Sequence, residues 1–341
     1  MAKAVALLSG GLDSTLAVRL MLEQGVEVEV LHFLTVFCTC STRGCALEAR
    51  KVSEKFAVPL KVVDITKSFI EVVKSPKHGY GKNLNPCIDC RLLMLGLAKE
   101  YMEEVGASFI VTGEVLGQRP MSQRRDALKM IDRDSKLEGL ILRPLSAKFF
   151  EPTIPEKKGW VDREKLLGLS GRSRKPQIAL ARTYGLEDYP CPAGGCLLTD
   201  PGFSKRMRDL LEQGDFSIND CLLLKLGRHF RLDRATKVIV GRNEEENQSL
   251  ESLARPGDLL LETFEVPGAL VILRGEIKEG NINMAARTAA RYSKAKDEPL
   301  AKVVFRRKPC LPAGRDAENS RQVLEIKPAS DEEIRPFLIG L

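Results

Sequence analysis

The chain has 341 residues, of which 43% are hydrophobic, so it can form packed cores, and its length favours two domains. Its formal net charge of +7 is compatible with a nucleic-acid partner but does not require one. Met1-Ala2-Lys3 runs directly into a short apolar strand rather than a signal sequence, and no apolar run approaches the length of a membrane span. We therefore expect a cytoplasmic protein with no membrane partner.

The first half of the chain alternates short β-rich runs with helical patterns. Strands are predicted at residues 5–8, 26–34, 60–63 and 108–112, and helices at 14–23, 46–56 and 91–105. Near-continuous apolar strands separated by helices are typical of a sheet that is covered on both faces. The pattern predicts an α/β domain with a doubly wound, mostly parallel sheet.

A glycine-containing loop joins the first strand to the first helix. It reads Ser9-Gly10-Gly11-Leu12-Asp13-Ser14, and glycines at such a turn allow backbone N–H groups to approach an anion at the helix N-terminus. The loop lacks the Gly-Lys-Ser/Thr ending of the Walker motif. A plain glycine-rich turn without a ligand is the alternative to a phosphate site.

The Ser-Gly-Gly-X-Asp-Ser pattern resembles the PP-loop of the N-type ATP pyrophosphatases, which cleave ATP between the α- and β-phosphates and transfer AMP to the substrate. The resemblance implies that the loop binds ATP, and that Asp13 acts catalytically through Mg²⁺, a hard ion suited to carboxylate and phosphate oxygens. The ATP-binding residues that it implies are Ser9, Gly10, Gly11, Leu12, Asp13, Ser14, Thr112 and Gly113.

Seven of the nine cysteines fall in three clusters, which suggests ligand or redox chemistry of thiols rather than structural disulfides. Cys38, Cys40 and Cys45 follow the second strand, where a loop faces the active-site edge of the sheet. They are interpreted as a second ligand set, as a sulfur relay, or as ordinary reduced thiols.

The other two clusters are Cys87 with Cys90, just before a predicted helix, and Cys191 with Cys196 in a Pro- and Gly-rich loop. A helix N-terminus lowers the pKa of a thiol, so Cys87 or Cys90 is a candidate nucleophile. The prolines and glycines of the second loop present its thiols rigidly. We expect the two loops to form one site.

The run Asn85-Pro86-Cys87-Ile88-Asp89-Cys90 resembles the tRNA 2-thiouridylase family, although Arg91 stands where that motif has Asn. The resemblance implies a catalytic Cys87 working with a distant cysteine, Cys196 or Cys191. Members of the wider thiolase group hold a [4Fe–4S] cluster on three cysteines, which here implies a metal site drawn from Cys87, Cys90, Cys191 and Cys196. A structural zinc site on all four is the alternative.

A strand end at residues 111–118 leads into a polar, basic segment. Thr112-Gly113-Glu114 through Gln118 and Gln123 resembles the adenine-nucleotide hydrolase domain of tRNA 4-thiouridine synthetases. Gln118 and Gln123 are candidates for base contacts, and a solvated basic loop is the alternative. The candidate RNA-binding residues of this segment are Arg119, Arg124 and Arg125.

The sequence changes character after residue 200, and we predict domains at 1–215 and 216–341. A helix is predicted at 203–212, strands at 237–240, 259–263, 270–273 and 302–306, and another helix at 282–293, which together indicate a smaller α+β domain. Residues 225–308 resemble the RNA-binding module of the NFACT proteins, with an accessory dimerisation or folding module as the alternative. The candidate RNA-binding residues are Arg242, Asn243, Asn247 and Arg255.

These features predict an ATP-dependent sulfurtransferase that adenylates a uridine carbonyl oxygen of tRNA and replaces it with sulfur. The sulfur arrives through a Cys persulfide or as sulfide on an iron–sulfur cluster, and the partners are tRNA and a sulfur donor such as a cysteine desulfurase or sulfide. Two other functions fit the loop: a PP-loop sulfur or amide transferase acting on a small molecule, and an ATP-regulated RNA-binding factor.

Overall fold

The computed structural model describes residues 2–39, 45–186, 195–308 and 321–340. The chain divides into two compact units, residues 1–199 and 200–341. None of the helices in these described stretches is long and apolar enough to cross a bilayer.

The first unit is built on a parallel sheet of five strands in the order β3-β2-β1-β4-β5. The strands are β1 Lys3–Leu7, β2 Glu27–Leu34, β3 Leu60–Asp64, β4 Phe109–Thr112 and β5 Ile141–Leu142. The helices are α1 Leu12–Leu22, α2 Cys45–Phe56, α3 Thr66–Lys74, α4 Cys87–Glu104, α5 Arg125–Asp134, α6 Ile154–Lys157 and α7 Lys175–Thr183.

Both faces of this sheet are covered, which confirms the predicted doubly wound α/β domain. Alternate residues of β1 point to opposite faces, with Ala4 and Ala6 packing in the core that includes α1 and Val5 and Leu7 packing against α4. Strand order reverses at β1, which pairs with β2 on one side and β4 on the other. Ligands of open α/β sheets bind outside the carboxyl ends of the strands at such a point.

The second unit is an antiparallel sheet of seven strands in the order β11-β10-β8-β9-β7-β6-β12. The strands are β6 Arg228–Arg231, β7 Lys237–Val240, β8 Leu259–Thr263, β9 Val271–Arg274, β10 Ala301–Arg307, β11 Gln322–Ile326 and β12 Leu338–Ile339. The helices are α8 Pro201–Glu212, α9 Ile218–Leu223, α10 Glu244–Leu253, α11 Glu279–Arg291 and α12 Asp331–Ile334.

Helix α11 lies close against one face of this sheet because its inner side is made of small residues. Four alanines there are fully buried against Val271, Leu273 and neighbouring strand residues. Leu250 of α10 packs with Ile239 and Ile272 on the opposite face. The smaller α+β domain predicted from the sequence is therefore confirmed.

The division between the units lies N-terminal to the predicted one, and the difference is helix α8. Its residues Phe203, Met207 and Leu210 are buried, and Asp209 pairs with Arg231 of β6 at 2.8 Å. The prediction placed the boundary after the glycine at 214, but the contacts of α8 tie it to the second sheet.

Candidate active site

The loop after β1 is folded back on itself by its own side chains. The Ser9 amide donates to Ser14 Oγ at 3.2 Å, and Ser14 Oγ donates to the Gly11 carbonyl at 2.9 Å. Gly10 has φ +75°, and a Cβ there would lie 3.1 Å from Glu48 Cβ of α2. Gly11 is the N-cap of α1, and no side chain caps it. The N-terminus of α1 therefore keeps the donors that an anion needs.

The end of β4 meets this loop directly, as the resemblance implied for Thr112 and Gly113. A Cβ on Gly113 would lie 2.5 Å from the Ser14 nitrogen and 2.6 Å from the Asp13 carbonyl carbon. Such distances leave no room for a side chain. Thr112 is buried, and its hydroxyl donates to Glu114 Oε2 at 3.1 Å.

Asp13 lies in the first turn of α1, with one carboxylate oxygen held and the other without a partner. Oδ2 accepts from Gln118 Nε2 at 2.7 Å and lies 3.4 Å from Arg174 Nη2, whereas the buried Oδ1 has no hydrogen-bond partner among the described residues. An uncommitted carboxylate oxygen beside a phosphate-type loop fits a Mg²⁺ ion bound together with ATP.

Arg174 and Gln177 are site residues that the sequence did not reveal. Gln177, only 1% exposed, lies in the first turn of α7 and donates to Gln118 Oε1 at 3.2 Å. Pro176 in that first turn is a signal for the start of a helix. That signal does not indicate that α7 reaches Asp13, which lies far away in the chain.

Cysteines from separate loops come together at the same edge of the sheet. The segment that carries Cys196 is hydrogen-bonded on one side to residues after β2, with Leu197 N donating to the Phe37 carbonyl at 2.9 Å. On its other side Leu84 N donates to the Leu198 carbonyl at 3.2 Å, just before α4. Cys38, Cys87, Cys90 and Cys196 therefore surround one region, as the sequence predicted for the last three.

Cys87 and Cys90 lie in the first turn of α4 rather than before a helix, which corrects the predicted start at 91. Pro86 occupies the N-cap position, and its fixed φ suits the entry to a helix. Asp89 between the thiols accepts from the His78 amide at 2.9 Å and bonds the His78 ring at 2.8 Å. These contacts fix the loop that precedes the two cysteines.

The thiol pKa values are raised rather than lowered as expected, because burial outweighs the nearby positive charges and hydrogen bonds. Burial raises the pKa of Cys87, and it raises the pKa values of Cys90 and Cys196 to about 12. The positive charge of Arg119 acts in the opposite direction on all three thiols. Arg119 is exposed, so this thiol region has a cation at its solvent side.

Arg91 connects the thiol helix to the end of β4. Its Nε lies 3.1 Å from Glu114 Oε1 as an ion pair without hydrogen-bond geometry, and Arg143 Nε donates to Glu114 Oε2 at 3.0 Å. Burial alone would raise the pKa of Glu114, but the charges of Arg91 and Arg143 outweigh it and hold the pKa below its usual value. A charged, buried network therefore joins the two halves of the site.

The predicted metal set is not assembled among the residues that can be described. No group of three His, Cys, Asp or Glu side chains in that part of the chain is arranged to hold a metal ion. Cys191 and Cys40 lie outside the described residues, and so does the side chain of Cys45. Cys87, Cys90 and Cys196 supply thiols in one neighbourhood without forming a ligand cage.

The other residues predicted to contact RNA in the first unit have partners within the protein. Arg124 pairs with Asp126 at 2.6 Å, and Arg125 Nη1 donates to the Phe149 carbonyl at 2.6 Å. Gln123, buried, accepts from the Arg119 amide at 3.0 Å. Gln123 therefore orders the segment that carries Arg119.

In the second unit, the four predicted RNA-binding residues contact their own domain. Arg242 pairs with Glu246, and Asn243 caps α10 by accepting from the Glu246 amide at 2.9 Å. Asn247 Oδ1 accepts from the Leu270 amide at 3.0 Å, and Arg255 pairs with Asp220 at 2.9 Å. These four side chains therefore also have partners within their own domain.

Known families match the two ends of the chain. Residues 1–148 match the family described as thiamine biosynthesis protein (ThiI), and residues 227–338 match the NFACT protein RNA binding domain.

Similar proteins include a probable tRNA sulfurtransferase of Lysinibacillus sphaericus, 35% identical over 42% of this chain and 34% of its own length. A tRNA-specific 2-thiouridylase, MnmA, of Sulfurimonas denitrificans is 33% identical over 32% of this chain and 33% of its own. A 4-thiouridine synthetase solved with RNA and bound ATP is 24% identical, with a TM-score of 0.40, over 66% of this chain and 52% of that chain.

The chain spans about a third of the length of these curated relatives. Its two matches lie in different units of the structure, one around the parallel sheet and one around the antiparallel sheet. Residues 1–148 are thus similar to the ThiI family, and residues 227–338 are similar to the NFACT protein RNA binding domain.

Proposed function

We propose that this chain is an ATP-dependent tRNA sulfurtransferase. The observation that carries the proposal is the placement of Cys38, Cys87, Cys90 and Cys196 at the edge of the sheet that also carries the loop from Ser9 to Ser14. The two curated relatives described above are named for sulfur transfer to tRNA or for 2-thiouridylation of tRNA. The NFACT-type domain supports RNA as the acceptor.

In the first step, a uridine carbonyl oxygen attacks the α-phosphorus of ATP and pyrophosphate leaves. The N-terminus of α1 and the folded loop of Ser9, Gly10, Gly11 and Ser14 bind the phosphates. Asp13 Oδ1 would hold Mg²⁺, which neutralises phosphate charge when bound. Gln118 keeps the carboxylate oriented through Oδ2.

In the second step, sulfur attacks the activated uridine carbon and AMP leaves with the former carbonyl oxygen. We assign the sulfur to a persulfide on Cys196. The segment that carries Cys196 is hydrogen-bonded through its backbone to Phe37 and Leu84. The sulfane sulfur comes from a persulfide donor such as a cysteine desulfurase, whereas sulfide would serve only the iron–sulfur alternative. Cys87, for which the sequence resemblance implied a catalytic role, lies near Cys196 at the start of α4.

A [4Fe–4S] cluster on Cys87, Cys90 and Cys196 is the alternative sulfur carrier, and it would supply sulfide at an open iron. Anaerobic purification followed by iron, acid-labile sulfide and zinc assays separates the two carriers. Iron and sulfide near four per chain would contradict the persulfide assignment.

The proposed function is tested by nucleoside mass spectrometry of tRNA from a strain that lacks this chain. We expect the loss of one thiouridine, restored by the intact gene but not by Asp13→Asn. An unchanged thionucleoside profile would refute the proposal. A small-molecule sulfur or amide transferase, or an ATP-regulated RNA-binding factor, would leave the profile unchanged.

A further inference from the structure

Cys38 and Cys196 face each other across a short antiparallel backbone pairing. Thr39 N donates to the Gly195 carbonyl at 3.1 Å, and Leu197 N donates to the Phe37 carbonyl at 2.9 Å. These two bonds flank the cysteines without joining them, so they form a non-hydrogen-bonded pair. Residues in such a pair have Cα atoms about 4.5 Å apart, with both side chains on the same face.

That register is suited to a disulfide. Bridged cysteines have Cα atoms roughly 4.4–6.8 Å apart, and opposite residues of a non-hydrogen-bonded antiparallel pair fall at the lower end of this range. In addition to burial, Cys87 and Cys38 both raise the pKa of Cys196, Cys87 more strongly, so both thiols lie near it. Cys87 approaches from α4, however, without a backbone pairing that fixes its register. Among the described thiols, Cys38 is the one aligned with Cys196.

The pairing is held on both sides, so the two thiols remain opposite each other. Thr39 Oγ1 donates to the Gly195 carbonyl at 2.9 Å and also accepts from the Gly195 amide at 3.1 Å. On the other flank Phe37 is fully buried, and its ring meets Phe69 of α3 edge-on at 5.6 Å. A disulfide can close here with little movement of the backbone.

We propose that Cys38 is the resolving thiol for Cys196 in sulfur transfer. The inference rests on the proposed function in its persulfide form and goes beyond the pairing of Cys87 with Cys196 that the sequence implied. It makes Cys38 a catalytic residue and so assigns a function to one of the three cysteines that follow β2. In this proposal the disulfide forms between Cys38 and Cys196, and Cys87 is not part of it.

The chemistry balances without a further oxidant. After AMP has left, the uridine carbon is bonded to the outer sulfur of the Cys196 persulfide. The Cys38 thiolate attacks Cys196 Sγ, the bond between Cys196 and the outer sulfur breaks, and the thiouridine leaves with that electron pair. The sulfane sulfur is reduced as Cys38 and Cys196 are oxidised to a disulfide. A dithiol reductant supplies the two electrons that restore both thiols.

The test is a single-turnover reaction without thiol reductant. Full-length protein is loaded with inorganic polysulfide, freed of excess reagent, and mixed with ATP, Mg²⁺ and tRNA from the strain that lacks this chain. The reaction is quenched with an alkylating agent, and disulfide-linked peptides are mapped by mass spectrometry. We expect a Cys38–Cys196 linkage to form in proportion to the thiouridine produced.

The Cys38→Ser variant gives a second, independent result. We expect it to keep ATP-dependent AMP formation, to yield roughly tenfold less free thiouridine without reductant, and to recover with dithiothreitol, because the external thiol replaces the missing nucleophile. Cys221→Ala, in the second unit, is the matched control and should behave as the unaltered protein.

The outcomes separate the inference from the proposed function. A Cys87–Cys196 linkage, or full thiouridine yield from Cys38→Ser without reductant, overturns the role of Cys38 and leaves thiolation intact. Formation of thiouridine without any disulfide would likewise overturn the role of Cys38 and leave thiolation intact. Failure of the unaltered protein to make any thiouridine refutes the proposed function, and the inference with it.

Discussion

The two carboxylate oxygens of Asp13 have different surroundings, because Oδ2 accepts a hydrogen bond and lies near Arg174, whereas Oδ1 has no hydrogen-bond partner among the described residues. Arg174 lies 3.4 Å from the occupied oxygen, and its Nη1 is buried without a partner among the described residues. In the proposed reaction, a metal ion at Asp13 would offset the charge of that carboxylate, and this guanidinium would then bind pyrophosphate, which accepts the bidentate hydrogen bonds of arginine.

Arg174→Gln should therefore lower kcat/KM for ATP in AMP formation by about tenfold or more. It should also weaken inhibition by pyrophosphate, because the variant lacks the positive charge that would bind this leaving group. Arg182→Gln, in the last turn of the same helix and exposed, is the control. If inhibition by pyrophosphate is unchanged in Arg174→Gln, the arginine serves only to neutralise the charge of Asp13.

Arg119 acts on the thiols through its charge. Because a positive charge lowers the pKa of a nearby thiol, Arg119→Gln should raise the pKa of Cys87 further above its ordinary value. We expect iodoacetamide to alkylate Cys87 at pH 8 about two- to fivefold more slowly in this variant, measured by peptide mass spectrometry.

Arg124→Gln is the matched control, since Arg124 is an exposed neighbour that pairs with Asp126. Its alkylation profile should follow that of the unaltered protein over the whole pH range. Equal rates for Arg119→Gln and the unaltered protein would show that solvent screens the charge of Arg119 from the thiols.

The close contact of β4 with α1 sets the shape of the proposed ATP site. Gly113→Ala forces the two apart, so we expect a loss of about 1–3 kcal/mol in the free energy of unfolding and a weaker affinity for ATP. Gly96→Ala is the control, because it lies within α4 with open space around it and should gain about 0.5–1 kcal/mol. Denaturant unfolding and ATP titration measure both. Undiminished ATP affinity in Gly113→Ala would contradict this account.

Elements defined by local signals were predictable, and those defined by distant contacts were not. Hydrophobic periodicity predicted the parallel sheet, and the glycines after β1 predicted the loop, because both signals are local. The approach of Arg174 to Asp13 and the pairing of Cys38 with Cys196 join residues far apart in sequence. No periodicity or spacing records such contacts.

The electrostatic environment was the least predictable part of the site. The sequence places Cys90 near a helix N-terminus, but only the packed structure shows that burial raises its pKa to about 12. Likewise Asn243 and Arg255 have the chemistry of RNA ligands, and only the structure shows that they also form a helix cap and an ion pair. Residue type thus indicates what a side chain can bind, and the structure adds the contacts that it makes within its own domain.

At the scale of the whole molecule, the two matched domains predict separable steps. If the NFACT-type domain contributes most of the RNA affinity, Asp13→Asn should abolish AMP formation and leave tRNA affinity within about twofold, since Asp13 does not contribute positive charge to phosphate binding. Fluorescence anisotropy at a fixed salt concentration measures the affinity. A tenfold loss of affinity would place the ATP site within the RNA-binding surface.

The proposed function requires that cleavage of ATP to AMP and pyrophosphate and transfer of sulfur to tRNA are one coupled reaction on this chain. The direct measurement is a reconstituted reaction with purified protein, ATP, Mg²⁺, persulfide donor and tRNA, in which AMP and thiouridine are counted together. We predict one AMP for each thiouridine, and neither product with Asp13→Asn. Thiouridine formed without AMP, or AMP formed with no thiouridine, would contradict the account.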